Sequence, residues 1–432
     1  MIGILAASPW TVWGIVGLAT AGVIMRPFSW PEYIWAAAGA VLLVAFGLLP
    51  WREAVSGVAK GVDVYLFLIG MMLLAEVARQ EGLFDWLAAK ATLLARGSAT
   101  RLFSLVFAVG TVVTVFLSND ATAVVLTPAV AAVVKAADAK EPLPYLFVCA
   151  FIANAASFVL PISNPANLVI YGSHMPPLLQ WLPQFALPSM LSILATYVVL
   201  RWTQRGSLRE PVSTDIEVPM LSAGGKMAAL GIAVTVVVLL VSSAFDIQLG
   251  LPTFLAGAGA GVGAGAATAA VVVTRSARDR LAVLRGVSWG VLPLVAGLFV
   301  LVEALRRTGV TDVLALALRT AVQESATGAA WLSGIMLAVA CNLVNNLPAG
   351  LLAGQVLEAA QVPERVRRAM LIGIDLGPNL SVTGSLATIL WLTALRREGH
   401  AVGAWTFLKL GAVVMPPALL LAIAGVFVFS FR

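Results

Sequence analysis

Apolar runs long enough to cross a lipid bilayer recur along the whole chain. A helix needs about 20 such residues to cross the hydrocarbon core. Hydrophobic residues make up 60% of the sequence and charged residues 11%, whereas soluble domains carry about a quarter charged residues. Helices satisfy their own backbone hydrogen bonds in lipid, where water cannot. The sequence therefore predicts an all-α polytopic membrane protein with the lipid bilayer as its surroundings and without a water-soluble domain.

The net charge of +6 is not typical of a nucleic-acid-binding protein here. The basic residues lie at the ends of the apolar runs, where they orient membrane spans. Only two cysteines, Cys149 and Cys341, are present, which is too few for a disulfide framework. The first residues, MIGILAASPW, lack a basic segment, so we expect no cleavable signal peptide.

The chain contains an internal repeat. Residues 70–88 and 297–315 are identical at eight of nineteen positions. The matched pairs include Gly70 with Gly297, Glu76 with Glu303, and Arg79 with Arg306. The same offset matches Asn119 with Asn346, and a slightly shorter one matches Ser163 with Thr383. Paired interruptions of apolar segments in two halves are a strong sequence pointer to the binding site of a transporter.

The repeat predicts two halves, residues 1–200 and 226–432, joined by a cytoplasmic linker at 201–225. We expect amphipathic interfacial segments near 83–95 and 310–322. A span is also expected near 252–274, where the run GAGAGVGAGA allows close helix packing.

Each half contains a pair of apolar arms around a polar tip, 102–135 in the first half and 330–361 in the second. From the sequence, each arm is estimated to be only about 15 residues long, which is short of a full span. Each pair is therefore predicted to be a re-entrant hairpin.

Each half also contains one broken helix, at 144–172 in the first half and at 368–395 in the second, interrupted by proline and glycine.

The predicted fold is therefore two inverted-topology repeats with about 10 transmembrane helices, two re-entrant hairpins and two broken helices. A fourteen-span arrangement remains the alternative if each hairpin arm crosses the membrane. Most basic residues fall on the side of the linker, which the positive-inside rule makes cytoplasmic. The first hairpin would then open from the cytoplasm and the second from outside.

Polar residues at the tips and breaks are the candidate binding site, because polar groups inside a membrane are costly and usually functional. The candidate substrate-binding residues are Ser118, Asn119, Thr122, Ser163, Asn164, Asn167, Asn345, Asn346, Asn379, Thr383 and Ser385. Asn154 and Thr388 belong to the same clusters. The alternative is that these side chains only tie helices together by hydrogen bonds.

Two acidic residues within these clusters, Asp120 and Asp375, are candidate proton carriers. The structural alternative for Asp120 is that its side chain caps the N-terminus of the second hairpin arm.

Glu76 and Glu303 each lie three residues before an arginine, and each is interpreted as forming an interfacial ion pair with it. No nucleophile–base motif or metal-ligand cluster is found in the sequence, so we expect neither an enzyme nor a cofactor.

Four motifs together, FLSNDATAVVLTPAV, LPISNPANLVIYG, NNLPAG and GPNLSVTGSLATILW, resemble those of the arsenite efflux permeases, the ArsB family of the ion transporter superfamily. The resemblance covers nearly the whole chain. It implies inverted repeats with two re-entrant hairpins and two unwound helices. It also implies proton-driven export of arsenite and antimonite across the bacterial cytoplasmic (inner) membrane. For some members of the family, the resemblance also implies a cytosolic ATPase as a partner.

The implied cargo suits the polar residues. Arsenous acid is mainly neutral near pH 7 and offers three hydroxyl groups, each a donor and an acceptor for Asn, Ser and Thr side chains. Capture by three thiolates within the chain is excluded, because the chain has two cysteines. The alternatives are another superfamily cargo, such as a dicarboxylate, sulfate or sodium–proton exchange, and more distantly a membrane enzyme or scaffold.

Overall fold

The computed structural model describes residues 9–172, 175–213, 218–245, 247–258 and 277–428. All regular secondary structure in these ranges is helical, which confirms the predicted all-α polytopic fold. Six described helices are long and apolar enough to cross a membrane, and a pair of helices bent by 47° would make a seventh. The predicted span near 252–274 lies largely outside the described residues, as does the run at 257–266.

The first half contains ten described helices. They are α1 (Pro9–Met25), α2 (Glu32–Ala45), α3 (Trp51–Lys60), α4 (Val62–Gln80), α5 (Leu83–Ala95), α6 (Ala99–Phe116), α7 (Asn119–Ala136), α8 (Leu143–Ala155), α9 (Pro165–Tyr171) and α10 (Leu178–Thr203). Helix α7 contains a π-helical turn at Thr122–Leu126. Such turns are rare and are often found at functional sites.

The second half follows the same order in its described part. Its helices are α11 (Ala223–Ala244), α12 (Gly250–Ala258), α13 (Ala277–Gly286), α14 (Val291–Arg307), α15 (Val310–Glu324), α16 (Ala326–Val344), α17 (Asn346–Ala360), α18 (Glu364–Leu376), α19 (Leu386–Arg397) and α20 (Ala404–Val428). Each helix of the first half thus has its counterpart ten helices later. The short helices α3 and α13 were not predicted from the sequence.

Helix starts agree between the halves. Gly82 and Gly309 precede α5 and α15 with φ of 71° and 80°, a left-handed conformation that glycine adopts without strain. Ser98 caps α6 by accepting from Arg101 N at 3.3 Å. Ser325 caps α16 in the same way. The match between halves therefore extends from sequence to local structure.

The polar-tipped pairs α6–α7 and α16–α17 are hairpins. Val212 N donates to Gly97 O at 3.0 Å and Ser213 N donates to Ala137 O at 2.7 Å. Because Val212 and Ser213 are neighbours in the chain, the start of α6 and the end of α7 lie side by side. In the second hairpin, Arg319 of α15 donates to Ala360 O at the end of α17.

The predicted arm length of about 15 residues is wrong for three of the four arms. Helices α6 and α7 have 18 residues each and α16 has 19, whereas α17 has 15. For α6 and α16 the estimate was short because Ser98 and Ser325 start these arms earlier than the apolar runs suggest. For α7 it was short because the helix begins at Asn119, directly after its cap Ser118. Length alone therefore does not distinguish a re-entrant arm from a crossing one.

The two halves are packed into one another. Helix α4 packs on α12, and its counterpart α14 packs on α2. The hairpin arm α7 packs on α19, and the arm α17 packs on α9. The broken helices also meet, since α8 contacts α18 and α19. These contacts between the halves bring the polar breaks of both halves together.

Candidate functional site

The tip of the first hairpin is formed by the link between α6 and α7. Ser118 caps α7 by accepting from Ala121 N at 3.1 Å. The Asn119 side chain accepts from Asp120 N at 2.9 Å and is 3% exposed. Thr122 is buried and shares a 2.8 Å hydrogen bond with Thr114.

The suggested N-cap role of Asp120 is wrong, because Ser118 holds that position. Asp120 instead lies in the first turn of the helix, half-buried. A carboxylate there is stabilised by the helix dipole and by free N–H groups. Asp120 thus remains available for a role other than capping.

The tip of the second hairpin is formed by Asn345 and Asn346. Asn345 has a φ of 71°, where asparagine is more tolerant than most residues. It caps α17 by accepting from Leu347 N at 3.3 Å and donates to Thr383 O at 3.3 Å. Asn346 donates its backbone N–H to Gly384 O at 2.8 Å, and its buried Oδ1 has no described partner.

In each half a hydroxyl group of the break donates to a carbonyl group just before the hairpin tip. Ser163 Oγ donates to Val115 O at 2.9 Å. Thr383 Oγ1 donates to Asn342 O at 3.0 Å. Both acceptors lie three residues before the cap of the respective tip. The sequence match of Ser163 with Thr383 therefore corresponds to equivalent contacts.

The breaks end where the second segment of each broken helix begins. Asn164 caps α9 by accepting from Ala166 N at 3.0 Å. Ser385 caps α19 by accepting from Thr388 N at 3.1 Å. Asparagine and serine are favoured caps because their side-chain oxygens satisfy free N–H groups of the first turn.

These two caps also make the contacts that join the halves. Asn164 Nδ2 donates to Asp375 Oδ1 at 2.7 Å, and Ser385 Oγ donates to Asn154 Oδ1 at 3.4 Å. In each half, the residue that accepts the cross-half hydrogen bond lies ten residues before the cap of that half. Asn154 precedes Asn164 in this way, and Asp375 precedes Ser385. The two cross-half contacts are therefore equivalent under the repeat.

Asn154 is the most connected side chain of this cluster. Its Nδ2 donates to Asn379 Oδ1 at 2.9 Å and lies 3.4 Å from Thr388 Oγ1. Asn379 in turn donates to Phe151 O at 3.0 Å. A nearby amide, Asn167, donates to the Ser157 carbonyl at 2.9 Å and leaves its Oδ1 without a described partner.

The structure gathers the predicted residues into one region but does not join the two tips directly. Asn154, Asn167, Asp375 and Asn379 are all 0% exposed. Within the described ranges no hydrogen bond links Asn119 to Asn346; the tips meet only through the broken helices. The broken helices are thus closely packed where the two halves meet.

Three polar residues that take part in this hydrogen-bond network were not predicted from the sequence: Ser157, Asn342 and Ser381. Ser157 donates to Asn154 O at 2.7 Å. Asn342 accepts from Ser381 Oγ at 2.7 Å and donates to Gly377 O at 3.0 Å. Asn342 could have been found, since it stands in the run CNLVNN beside the tip, whereas a lone serine in an apolar segment gives no such signal.

The chemistry of the region is that of neutral hydrogen-bonding groups with two acids. None of the predicted site residues is basic. In the described part of the chain no group of three metal-ligating side chains is found. A cavity of about 210 Å³ lies elsewhere, beside Lys140 and Glu210 in the loops at the base of the first hairpin.

Comparison with known proteins agrees with this architecture. A protein of Escherichia coli named "Arsenical pump membrane protein" is 27% identical over 378 residues, covering 83% of this chain and 84% of that protein. An uncharacterized transporter of Mycobacterium tuberculosis is 27% identical over 405 residues, covering 89% and 90%. These relatives confirm the resemblance that the motifs predicted.

Among solved structures, the Alcanivorax borkumensis YdaH transporter superposes with a TM-score of 0.55 at 17% identity, covering 86% of this chain and 85% of that one. At this identity the likeness shows the fold. The model of the CitMHS family, described as "Citrate transporter", matches residues 21–374. The chain is therefore a multi-pass membrane transporter that belongs to the CitMHS family.

Proposed function

We propose that this transporter exports arsenite, and by the same chemistry antimonite, from the bacterial cytoplasm in exchange for protons. The observation that carries the proposal is that amide and hydroxyl side chains dominate the buried cluster and that none of the predicted site residues is basic. Asn154, Asn164, Asn379, Ser385 and Thr388 offer amide and hydroxyl groups that both donate and accept. A neutral trihydroxide can form several such hydrogen bonds without a counter-charge.

The names of the relatives agree with this cargo. Several curated relatives, including those of Escherichia coli and Yersinia enterocolitica, are named arsenical pump membrane proteins. The chain covers most of their length.

Citrate or another carboxylate is the second candidate, because the family description names citrate. A multiply charged anion buried in a membrane needs cationic or free N–H partners. The proposed site residues include no Lys, Arg or His. The N-termini of α7, α9, α17 and α19 are already capped by side chains. These features favour the neutral cargo.

In the proposed cycle, arsenite enters from the cytoplasm between Asn119, Asn346 and the broken helices when the cross-half contacts separate. Relative movement of the hairpin-bearing segments then exposes the site to the outside. Protonation of Asp120 or Asp375 from outside favours release and return. A neutral cargo leaves both acids free to carry protons.

Arsenite uptake into everted membrane vesicles that contain this chain is the direct test. We expect accumulation under a proton gradient and its collapse when an uncoupler is added. Citrate uptake in parallel vesicles serves as the comparison. Folded protein that accumulates citrate but not arsenite under an intact gradient would replace the neutral cargo by the anionic one.

A further inference from the structure

Three arginines lie close together at the start of α18, the first segment of the second broken helix. Arg365, Arg367 and Arg368 are among the first five residues of this helix, and all three are half-buried. Cations are unfavourable at a helix N-terminus, because the helix dipole is positive there. Arg365 and Arg368 are also three residues apart, where like charges repel each other. Negative charge nearby would therefore stabilise this cluster.

The start of α18 lies on the side of the protein that faces away from the linker. Tyr171, the last residue of α9, donates to Glu364 Oε1 at 2.7 Å, so the two helix ends are in contact. Helix α10 follows α9 and runs from Leu178 to Thr203, beside the linker. The positive-inside rule predicts a cytoplasmic linker and fewer basic residues on the opposite side. The three arginines are an exception to that rule.

Glu364 is the acid that pairs with this cluster in the described part of the chain. Its Oε2 lies 3.5 Å from Arg367 Nε. The Arg367 guanidinium group also lies over the Tyr171 ring, 5.3 Å from the ring centroid. These contacts hold Arg367 in place. One carboxylate offsets one of the three cations, so two positive charges remain without an acidic partner.

Two N–H groups of the cluster are buried without an acceptor. Arg367 Nε and Arg368 Nε have no hydrogen-bond partner within the described ranges. The Nε atoms of Arg79 and Arg306, by contrast, donate to the acid three residues before them at 2.7 and 2.8 Å. A buried donor on a charged group is costly when it has no acceptor. The arginines of α18 thus have both the charge and the donors to bind an anion.

We propose that Arg365, Arg367 and Arg368 bind a phosphate group at the start of α18. A guanidinium group presents parallel N–H donors that match two phosphate oxygens. Phosphate also brings the negative charge that offsets the two remaining cations. Tyr171 and Glu364 are positioning residues, since they hold Arg367. This site is separate from the polar cluster of the proposed function and does not depend on it.

The depth of the cluster favours the headgroup of an anionic phospholipid as the source of the phosphate. Arg365 and Arg368 stand ten and seven residues before Asp375 at the break, which corresponds to about 10–15 Å along the helix. Breaks of transporter helices lie near the bilayer midplane, and half of the hydrocarbon core is about 15 Å thick. Arginine side chains extend toward the interface, where lipid phosphates lie. Free phosphate is the other source of the same chemistry.

Native mass spectrometry of the purified, delipidated protein, titrated with phosphatidylglycerol, tests the site. We expect one phosphatidylglycerol molecule to bind more tightly than phosphatidylcholine. The double variant Arg365→Gln/Arg368→Gln should weaken this binding at least about tenfold, which corresponds to 1.4 kcal/mol. Equal affinities of the wild-type protein for the two lipids, together with no binding of free phosphate, would overturn the proposal.

The matched control is Arg52→Gln. Arg52 is exposed and is likewise the second residue of a helix that follows a proline cap, so its loss should leave the affinity for phosphatidylglycerol unchanged. If Arg52→Gln weakens binding as much as the double variant does, the lipid responds to overall charge and the assigned site is wrong.

Inorganic phosphate at constant ionic strength separates the two sources. For a lipid headgroup, millimolar phosphate should not displace phosphatidylglycerol. Displacement that the double variant abolishes would confirm a phosphate site and assign it to a soluble anion instead. Binding of neither probe in a manner that depends on the arginines would overturn the proposal.

Glu364→Gln gives a change in the opposite direction. It removes the carboxylate that competes for the arginines, while the amide oxygen can still accept from Tyr171. Phosphatidylglycerol binding should therefore become tighter. Weaker binding by folded Glu364→Gln would mean that the arginines serve only to pair with this acid, and would overturn the assignment.

Arg365→Lys/Arg368→Lys keeps the test decisive if the glutamine double variant does not fold. Lysine retains the charge but lacks the planar fork of donors. We expect affinity for phosphatidylglycerol below that of the wild-type protein and of Arg52→Gln. Wild-type affinity in the lysine variant would rule out recognition of phosphate by the guanidinium groups.

Discussion

Lys60 at the end of α3 donates to Glu303 of α14 at 2.9 Å and so links the first half of the chain to the second. Arg306 binds the same carboxylate at 2.6 Å. Glu303 is 3% exposed, whereas the side chains of Lys60 and Arg306 are 52% and 49% exposed. Two half-exposed cations therefore stabilise one buried anion.

This redundancy predicts a non-additive pair of substitutions. Lys60→Met and Arg306→Met each leave one cation on Glu303 and should each lower the free energy of unfolding by about 1 kcal/mol or less. The double variant leaves a buried carboxylate unpaired and should cost about 3 kcal/mol or more. Thermal unfolding in detergent measures the difference.

The control for this prediction is Lys140→Met. Lys140 pairs with Glu210 in the loops, where the side chains are 76% and 56% exposed, so its loss should hardly change stability. If the double variant costs no more than the sum of the single variants, Glu303 does not depend on having a cation beside it.

Asn119 should be needed for transport and dispensable for folding. Its described side-chain hydrogen bond is the local one to Asp120 N, so Asn119→Ala should cost about 1 kcal/mol of stability. If the amide contacts the cargo, arsenite uptake should fall at least about tenfold, since 1.4 kcal/mol corresponds to that factor.

Uptake by everted vesicles, normalised to folded protein, checks this expectation. Gln323→Ala removes another amide at an exposed position on α15 and serves as the control. Normal uptake by Asn119→Ala would mean that the first tip does not form part of the binding site.

The repeat and the breaks could be predicted because polar residues stand out in apolar sequence. Asn119, Asn164 and Asn346 were recognised for this reason. The cross-half contacts could not be predicted, since nothing local connects Asn164 to Asp375 across more than 200 residues. The position of Ser157 was equally hidden, because a small hydroxyl residue in an apolar segment reads as ordinary helix packing.

Asn154 should contribute more to stability than any other polar residue of the cluster. Asn154→Ala removes the donor to Asn379 Oδ1 and the acceptor of Ser385. It leaves Asn379 Oδ1 buried without this donor, whereas Ser385 keeps its hydrogen bonds with Thr388. We expect a loss of about 3 kcal/mol, against about 1–2 kcal/mol for Ser163→Ala, which removes the donor to Val115 O and the acceptor of Leu160 N.

A double-mutant cycle with Asn379→Ala isolates the central contact. Residues in one hydrogen-bond network usually show coupling of about 0.5–3 kcal/mol. Thermal unfolding of the four proteins gives the coupling energy. A value near zero would mean that the 2.9 Å contact between Asn154 and Asn379 contributes no net stability.

The last prediction concerns the crossing of the hairpin arm α16 with the broken helix α18. A Cβ atom on Gly373 would lie 2.1 Å from Gly334 O, and one on Gly377 would lie 2.4 Å from Ala338 O. Backbone carbonyl groups cannot move aside without shifting the helices. Gly373→Ala should therefore lower stability by about 2–3 kcal/mol, the usual cost of overpacking.

Gly17→Ala is the matched control, because a Cβ atom there meets nothing within 4 Å. In a helix interior, replacing glycine by alanine is favourable by about 1 kcal/mol, so this variant should unfold at the same or a slightly higher temperature. Thermal unfolding of the two variants side by side separates helix propensity from close packing. Equal behaviour of Gly373→Ala and Gly17→Ala would mean that α16 and α18 do not cross as closely as their glycines allow.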